Sequence, residues 1–246
     1  MSRLGVIGGT GALDLFEPGE SGNSSTRWGA PSAEPVRVDL GAMEAWFLAR
    51  HGRPHRIPPH RIDYRANIAA LKALGVRHVI ALNAVGAVSP DLPAGALVLP
   101  DQLIDYTWGR VHTFSDDAEA PLEHIEFADP FAGPTRRGLL AAAAAADIEL
   151  VDGGCYGATQ GPRLETAAEV ARLAADGCTL VGMTAMPEAA LAREAGLDYA
   201  SLCVVANPGA GLQADPISID EIHRVLQRAM ERVAAVLRRF SPGLLA

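Results

Sequence analysis

Short apolar runs alternate with helix-patterned segments along almost the whole chain, and no other feature restricts the fold as much. Residues 4–7, 36–40, 45–49, 78–82, 96–99, 180–183 and 199–206 read as strands. Between them, residues 64–74, 135–146, 167–175, 187–195 and 219–240 carry helical periodicity or strong helix propensity. Gly75 and Gly177 stand where two of these helices stop, as helix-ending glycines do. Strand–helix alternation predicts an α/β fold whose parallel or mixed sheet is covered on both faces. Residues 21–35 and 112–121 read as loops, no linker divides the chain, and a single domain over residues 1–246 is expected.

At 246 residues and 49% hydrophobic content, the chain can bury a large core without covalent staples. Its net charge of −8 opposes general nucleic-acid binding. Cys155, Cys178 and Cys203 are scattered and form no CxxC pair, which suits buried hydrophobes in a reducing compartment better than a disulfide framework or zinc site. The first apolar run is too short for a signal peptide, and no run approaches membrane-spanning length. A soluble, cytoplasmic protein with no membrane partner is expected.

The first strand leads into Gly8-Gly9-Thr10-Gly11. Such a loop lets backbone N–H groups approach an anion, and Thr10 adds a hydroxyl. A dinucleotide-binding oxidoreductase is one competing reading, but Asp14 stands where the third glycine of that fingerprint belongs. A turn without a ligand is the other. A second cluster lies at residues 50–61, where Arg50, Arg53, Arg56 and Arg61 occur with no acidic residue between them. Guanidinium forks match phosphate oxygens and stay charged at any working pH. His51, His55 and His60 raise a metal alternative, yet Pro54, Pro58 and Pro59 forbid the regular helix that would align them, and carboxylate or thiolate partners are absent nearby. No metal is expected, and a solvated basic loop is the plain alternative.

Taken in order, several segments carry a family resemblance: Gly8-Gly9-Thr10-Gly11, Arg50-His51-Gly52-Arg53, Tyr64-Arg65-Ala66-Asn67, Asn83-Ala84-Val85-Gly86, the run 100–105, Gly161-Pro162-Arg163-Leu164-Glu165, and the run 181–188 ending in Glu188. The chain resembles the trimeric purine nucleoside phosphorylase and methylthioadenosine phosphorylase family over nearly its whole length. The resemblance implies a central, distorted mixed sheet flanked by helices, a homotrimer, no cofactor, and inorganic phosphate as co-substrate beside a purine nucleoside. It places the phosphate site on Thr10, Arg50, His51, Asn83, Thr184 and the backbone of Ala84. It puts Met183 under the sugar, Glu165 and Asn207 against the base, and Leu164 where the family usually has a phenylalanine on the purine ring.

Phosphorolysis needs no protein nucleophile; the protein positions two reactants and stabilises charge. Arg50 and Asn207 are the residues expected to act on the reaction itself, Arg50 on phosphate and Asn207 on the N7/O6 edge of the leaving purine. An asparagine at 207, with Gly209 two positions on, lacks the acids of the 6-aminopurine branch. Glu165 can accept the N1–H that 6-oxopurines carry and adenine lacks. At the sugar end, Ile219 falls where the nucleoside branch has a histidine, and Ile217, Ile219 and Ile222 suit a thiomethyl group better than a buried hydroxyl. His55 and, from a neighbouring subunit, His124 would complete that pocket. The implied substrate is S-methyl-5′-thioinosine; inosine or guanosine, and then methylthioadenosine, are the alternatives. Taken singly, Asn207 reads equally as a turn residue, Glu165 as an exposed helix-start residue, and Met183 and the isoleucines as core. His223 is a nearby substitute contact, and a nucleoside-binding regulator without turnover stays open.

Overall fold

The computed structural model describes residues 3–17, 19–22, 25–116, 122–213 and 218–245. The seven apolar runs become strands β1 (Arg3–Gly8), β2 (Val36–Asp39), β3 (Glu44–Ala49), β4 (Val76–Ala87), β5 (Leu97–Leu99), β9 (Leu180–Gly182) and β10 (Asp198–Pro208), and three short strands not expected from the sequence, β6 (Gln102–Asp105), β7 (Val151–Asp152) and β8 (Cys155–Ala158), join them. The periodic segments become α1 (Tyr64–Ala73), α2 (Pro134–Ala145), α3 (Ala167–Ala175), α4 (Ala185–Glu194) and α5 (Ile219–Arg239). All strands join one mixed sheet, in the order β2-β3-β1-β4-β10-β5-β7 along its main path. β4 also pairs with β9 near its end, and β9 continues through β8 to β6. The expected distorted mixed sheet flanked by helices is therefore what forms.

Two-sided burial explains why the central strands are apolar throughout. Along β4, Val79 and Ala81 enter one core cluster, with Ile68 and Leu71 of α1 and Leu191 of α4. Ile80 and Leu82 enter the other, with Leu139 of α2 and Leu226, Val233 and Leu237 of α5. Each fully buried aliphatic side chain contributes roughly 1.5–3 kcal/mol. α5 is fixed at its start by Ser218, whose side chain accepts from the Glu221 N–H. Asp220 and Glu221 in its first turn and Arg238 and Arg239 in its last complement the helix dipole. α3 opens with a capping box between Thr166 and Glu169.

β4 and β10 are longer than their apolar cores. Both run on past the predicted runs 78–82 and 199–206, and the register shifts between Val205 and Asn207. That irregularity falls where β9 succeeds β1 on the other edge of β4.

Candidate active site

Strand register brings the first three site segments side by side. β1, β3, β4 and β10 are mutually parallel through β1–β3, β1–β4 and β4–β10 pairing. Gly8 is level with Ala49 and Leu82, so Gly9, Arg50 and Asn83 follow together at the carboxyl ends, where α/β sheets place ligands. A cavity of about 390 Å³ opens there. Its walls include Thr10, Arg50, His51, His55, Asn83, Ala84, Leu164, Glu165, Met183, Thr184, Asn207 and Ile222.

Arg50 anchors one end. Its side chain is 1% exposed and forms a fork-to-fork pair with fully buried Glu188 of α4, Nε to Oε2 at 2.7 Å and Nη2 to Oε1 at 2.8 Å. Nη1 donates to the Leu82 carbonyl at 3.0 Å. Burial opposes the charge, but Glu188 more than offsets it, and the guanidinium is held more firmly protonated than usual. The Tyr199 hydroxyl donates to Glu188 Oε1 at 2.9 Å, completing the carboxylate's shell. Gly9 lets the guanidinium in: a Cβ there would lie 2.8 Å from Nη1.

His51 contributes a neutral ring. Its Nδ1 lies 2.8 Å from the Ile57 carbonyl, which only accepts, so Nδ1 carries the proton and Nε2 keeps a lone pair. Burial pulls its pKa down to about 4; the Ile57 bond opposes this, and the neighbouring Arg50 and His55 add smaller downward effects. His55 stacks on it with ring centroids 4.4 Å apart. Thr184 Oγ1 donates to Asn83 Oδ1 at 3.1 Å, and Asn83 Nδ2 donates to Ser201 Oγ at 2.7 Å, so Asn83 orients the Thr184 hydroxyl.

The opposite end is part-buried: Leu164 and Glu165 lie on the loop after β8, and Asn207 lies near the end of β10. Glu165 Oε1 accepts from the Thr159 hydroxyl at 2.6 Å. Asn207 Nδ2 donates to the Pro208 carbonyl at 2.7 Å, which aims the amide oxygen away from that carbonyl. Leu164 is 40% exposed at the rim. Met183 lines the cavity between Gly182, whose carbonyl accepts the Thr159 N–H, and Thr184, and it packs so closely on Gly161 that a side chain at 161 would collide with its sulfur. Behind Met183, Arg110 is buried and donates to the carbonyls of Met183 and Met186 at 2.7 Å and of Gln160 at 2.7 Å, with Thr159 O at 3.2 Å. None of its hydrogen-bond partners among the described residues is a carboxylate.

One expected residue, Ile219, is not brought to the cavity. Ile219 begins α5 and is 56% exposed; only Ile222, nearly one turn further in, reaches the wall. His124 is exposed on the surface of its own chain, and His223 lines a separate groove beside α5. Ile217 lies outside the described residues. The sequence reading gave no role to Glu188, Thr159 or Arg110. Glu188 stood within a recognised motif, but a lone arginine at 110 and a threonine at 159 carry no spacing signal. Among the described residues no group of His, Cys, Asp and Glu is placed to hold a metal ion, and no helix is long and apolar enough to cross a membrane.

A family model described as the phosphorylase superfamily matches residues 3–242. The chain is 52% identical to a probable S-methyl-5′-thioinosine phosphorylase of Xanthomonas campestris, over 89% of each chain. It is 39% identical to a 6-oxopurine nucleoside phosphorylase of Pyrococcus furiosus, over 96% of this chain and 91% of that one. A methylthioadenosine phosphorylase from Schistosoma mansoni, solved in complex with adenine, superposes with a TM-score of 0.91 at 33% identity, over 97% of this chain and 90% of that one.

Proposed function

The chain belongs to the phosphorylase superfamily, and on that premise we propose that it catalyses phosphorolysis of S-methyl-5′-thioinosine to hypoxanthine and 5-methylthioribose 1-phosphate. One observation carries the reading: a single cavity joins a buried cationic end at Arg50 to a part-buried polar end at Glu165 and Asn207 and has Met183 in its wall. Inorganic phosphate, the co-substrate, sits against Arg50, Thr10, Thr184 and the Ala84 backbone. The unprotonated His51 Nε2 takes a hydrogen bond from its P–OH. A phosphate oxygen bonds to C1′ as the bond to purine N9 breaks, and the electron pair leaves with the base. The proton of the phosphate ends on the purine. Asn207 stabilises the developing negative charge at N7/O6, a contribution of roughly 2.7–4 kcal/mol by analogy with oxyanion-hole donors. Glu165 accepts the N1–H of a 6-oxopurine.

The methylthio end rests on Ile222 and His55, which line the cavity. His124 of a neighbouring subunit in a cytoplasmic homotrimer would complete it. A second reading, a general inosine and guanosine phosphorylase, draws support from the exposure of Ile219 away from the cavity. Phosphate-dependent rates on methylthioinosine, inosine, guanosine, adenosine and methylthioadenosine test both. The highest kcat/KM is expected for methylthioinosine. Equal or better turnover of inosine moves the assignment to the second reading, and dominant adenine release overturns the base reading. Light scattering showing an active monomer would remove the shared-subunit role of His124.

A further inference from the structure

Thr159 starts the loop that carries Leu164 and Glu165, directly after β8. Its backbone is held at both polar groups. The N–H donates to the Gly182 carbonyl at 2.8 Å, and the carbonyl accepts from Arg110 Nη2 at 3.2 Å. The hydroxyl therefore has a fixed origin and two acceptors in range: Glu165 Oε1 at 2.6 Å and Gly182 O at 3.3 Å. The Gly182 carbonyl already receives an N–H, and a carboxylate at 2.6 Å is the stronger acceptor, so the single hydroxyl proton goes to Glu165.

Glu165 stands between two hollows. It forms part of the wall of the active-site cavity and also of a neighbouring groove lined by Tyr106, Trp108, Arg163 and Arg172. Arg163, itself paired with Glu169 at 2.7 and 2.8 Å, adds a weak electrostatic pull from that side. Something must hold the carboxylate toward the cavity, and the Thr159 hydroxyl is the partner the structure gives it.

We propose that Thr159 is a specificity-determining residue: by donating to Glu165 Oε1 it holds the carboxylate in the cavity, leaving Oε2 to demand an N–H at the purine N1 position. A 6-oxopurine supplies that N–H. A 6-aminopurine presents a lone pair to a carboxylate oxygen and is rejected, since a site built around a hydrogen bond discriminates strongly against a partner that cannot make it. The inference rests on the reading of Glu165 as the base contact.

The test compares Thr159→Val, which keeps the shape and removes the hydroxyl, with Thr159→Ser, which keeps the hydroxyl. Thr159→Ala serves as a second hydroxyl-free variant should valine fail to fold. Phosphate-dependent kcat and KM are measured on methylthioinosine and methylthioadenosine, with Tm as a folding control. Removing a hydrogen bond to a charged group should lower the 6-oxo to 6-amino ratio of kcat/KM on the order of tenfold or more, and serine should restore it. Equal loss on both substrates, or an unchanged ratio, overturns the proposal, because a merely structural role would not change the ratio. Glu165→Gln separates the two levels. If it collapses the ratio while the valine variant leaves it intact, Thr159 is excluded and the base reading stands. If Glu165→Gln leaves the ratio unchanged, the base reading falls and the proposal with it.

Discussion

Glu188→Gln removes one charge from the buried fork while changing almost no volume. The carboxylate accepts from Tyr199 and Arg50 Nη2 at Oε1 and from Arg50 Nε at Oε2. An amide oxygen can take over the Oε1 contacts, but its NH2 then faces the Nε–H, donor against donor. The guanidinium, 1% exposed, is left without a full counter-charge. Leaving a buried ion uncompensated costs about 3–5 kcal/mol. For a chain of this length each kcal/mol moves Tm by about 2–4 °C, so the melting temperature should fall by roughly 6–20 °C. Tilting the fork should also raise the KM for phosphate more than the KM for the nucleoside. Differential scanning fluorimetry and initial rates with each substrate varied in turn measure both effects. A Tm within about 2 °C of the parent together with an unchanged phosphate KM would refute the argument. A fall in Tm alone would reduce Glu188 to a scaffold residue. Removing both charges, as Arg50→Met with Glu188→Leu, should destabilise less than Glu188→Gln while abolishing phosphate-dependent turnover, since a well-packed apolar pair replaces a buried ion pair at little cost.

Two further outcomes follow from the site. His51 is neutral in the folded chain down to about pH 4 but titrates near 6.5 when unfolded, so the unfolded state binds more protons between these values and stability falls as pH drops through that window. His51→Gln should shrink the Tm difference between pH 7 and pH 5, and an unaltered difference would show that the ring is not held neutral. Asn207→Asp should raise the share of 6-aminopurine turnover while lowering total kcat/KM, because the new carboxylate would face the Pro208 carbonyl, 2.7 Å from the present amide nitrogen, with no proton to share; an unchanged base preference counts against the role given to Asn207.

The elements legible in the sequence were those whose pattern is local. Residues 167–175 formed a helix with the anticipated bounds because a capping box and an apolar face both lie within the segment. The pair around Gly41 formed because that glycine takes φ +86° in the turn. β6, β7 and β8 were missed: each is four residues or fewer, and polar or glycine-containing sequence there is paid no attention by a periodicity rule. β4 and β10 ran beyond their apolar cores because the pairing that extends them, with β9 and across the register shift, is set by residues about a hundred positions away. The same applies to the site. Arg50, His51 and Asn83 were found through motifs, whereas Glu188 meets Arg50 across 138 residues and Arg110 meets Met183 across 73.

The two ends of the cavity are built differently, and this has a consequence for how specificity can change. Arg50, His51, Asn83 and Thr184 are each less than a tenth exposed; the first three stand on or directly after strands in parallel register, and Thr184 follows β9, which is paired with both β4 and β8. Moving any of them disturbs core packing, because Glu188, Tyr199 and Ser201 pack behind them with their own hydrogen bonds. Glu165 and Leu164 instead sit on a loop fastened at a few points, chiefly by Arg110 and Thr159. A substitution there alters which base edge is met without reaching the Arg50 fork. The chemistry at C1′ depends on the rigid end, and the choice of purine depends on this loop together with Asn207 near the end of β10. A change of base preference should therefore be reachable by one or two substitutions, in this loop or at Asn207, whereas a change of attacking anion should require rebuilding the strand ends.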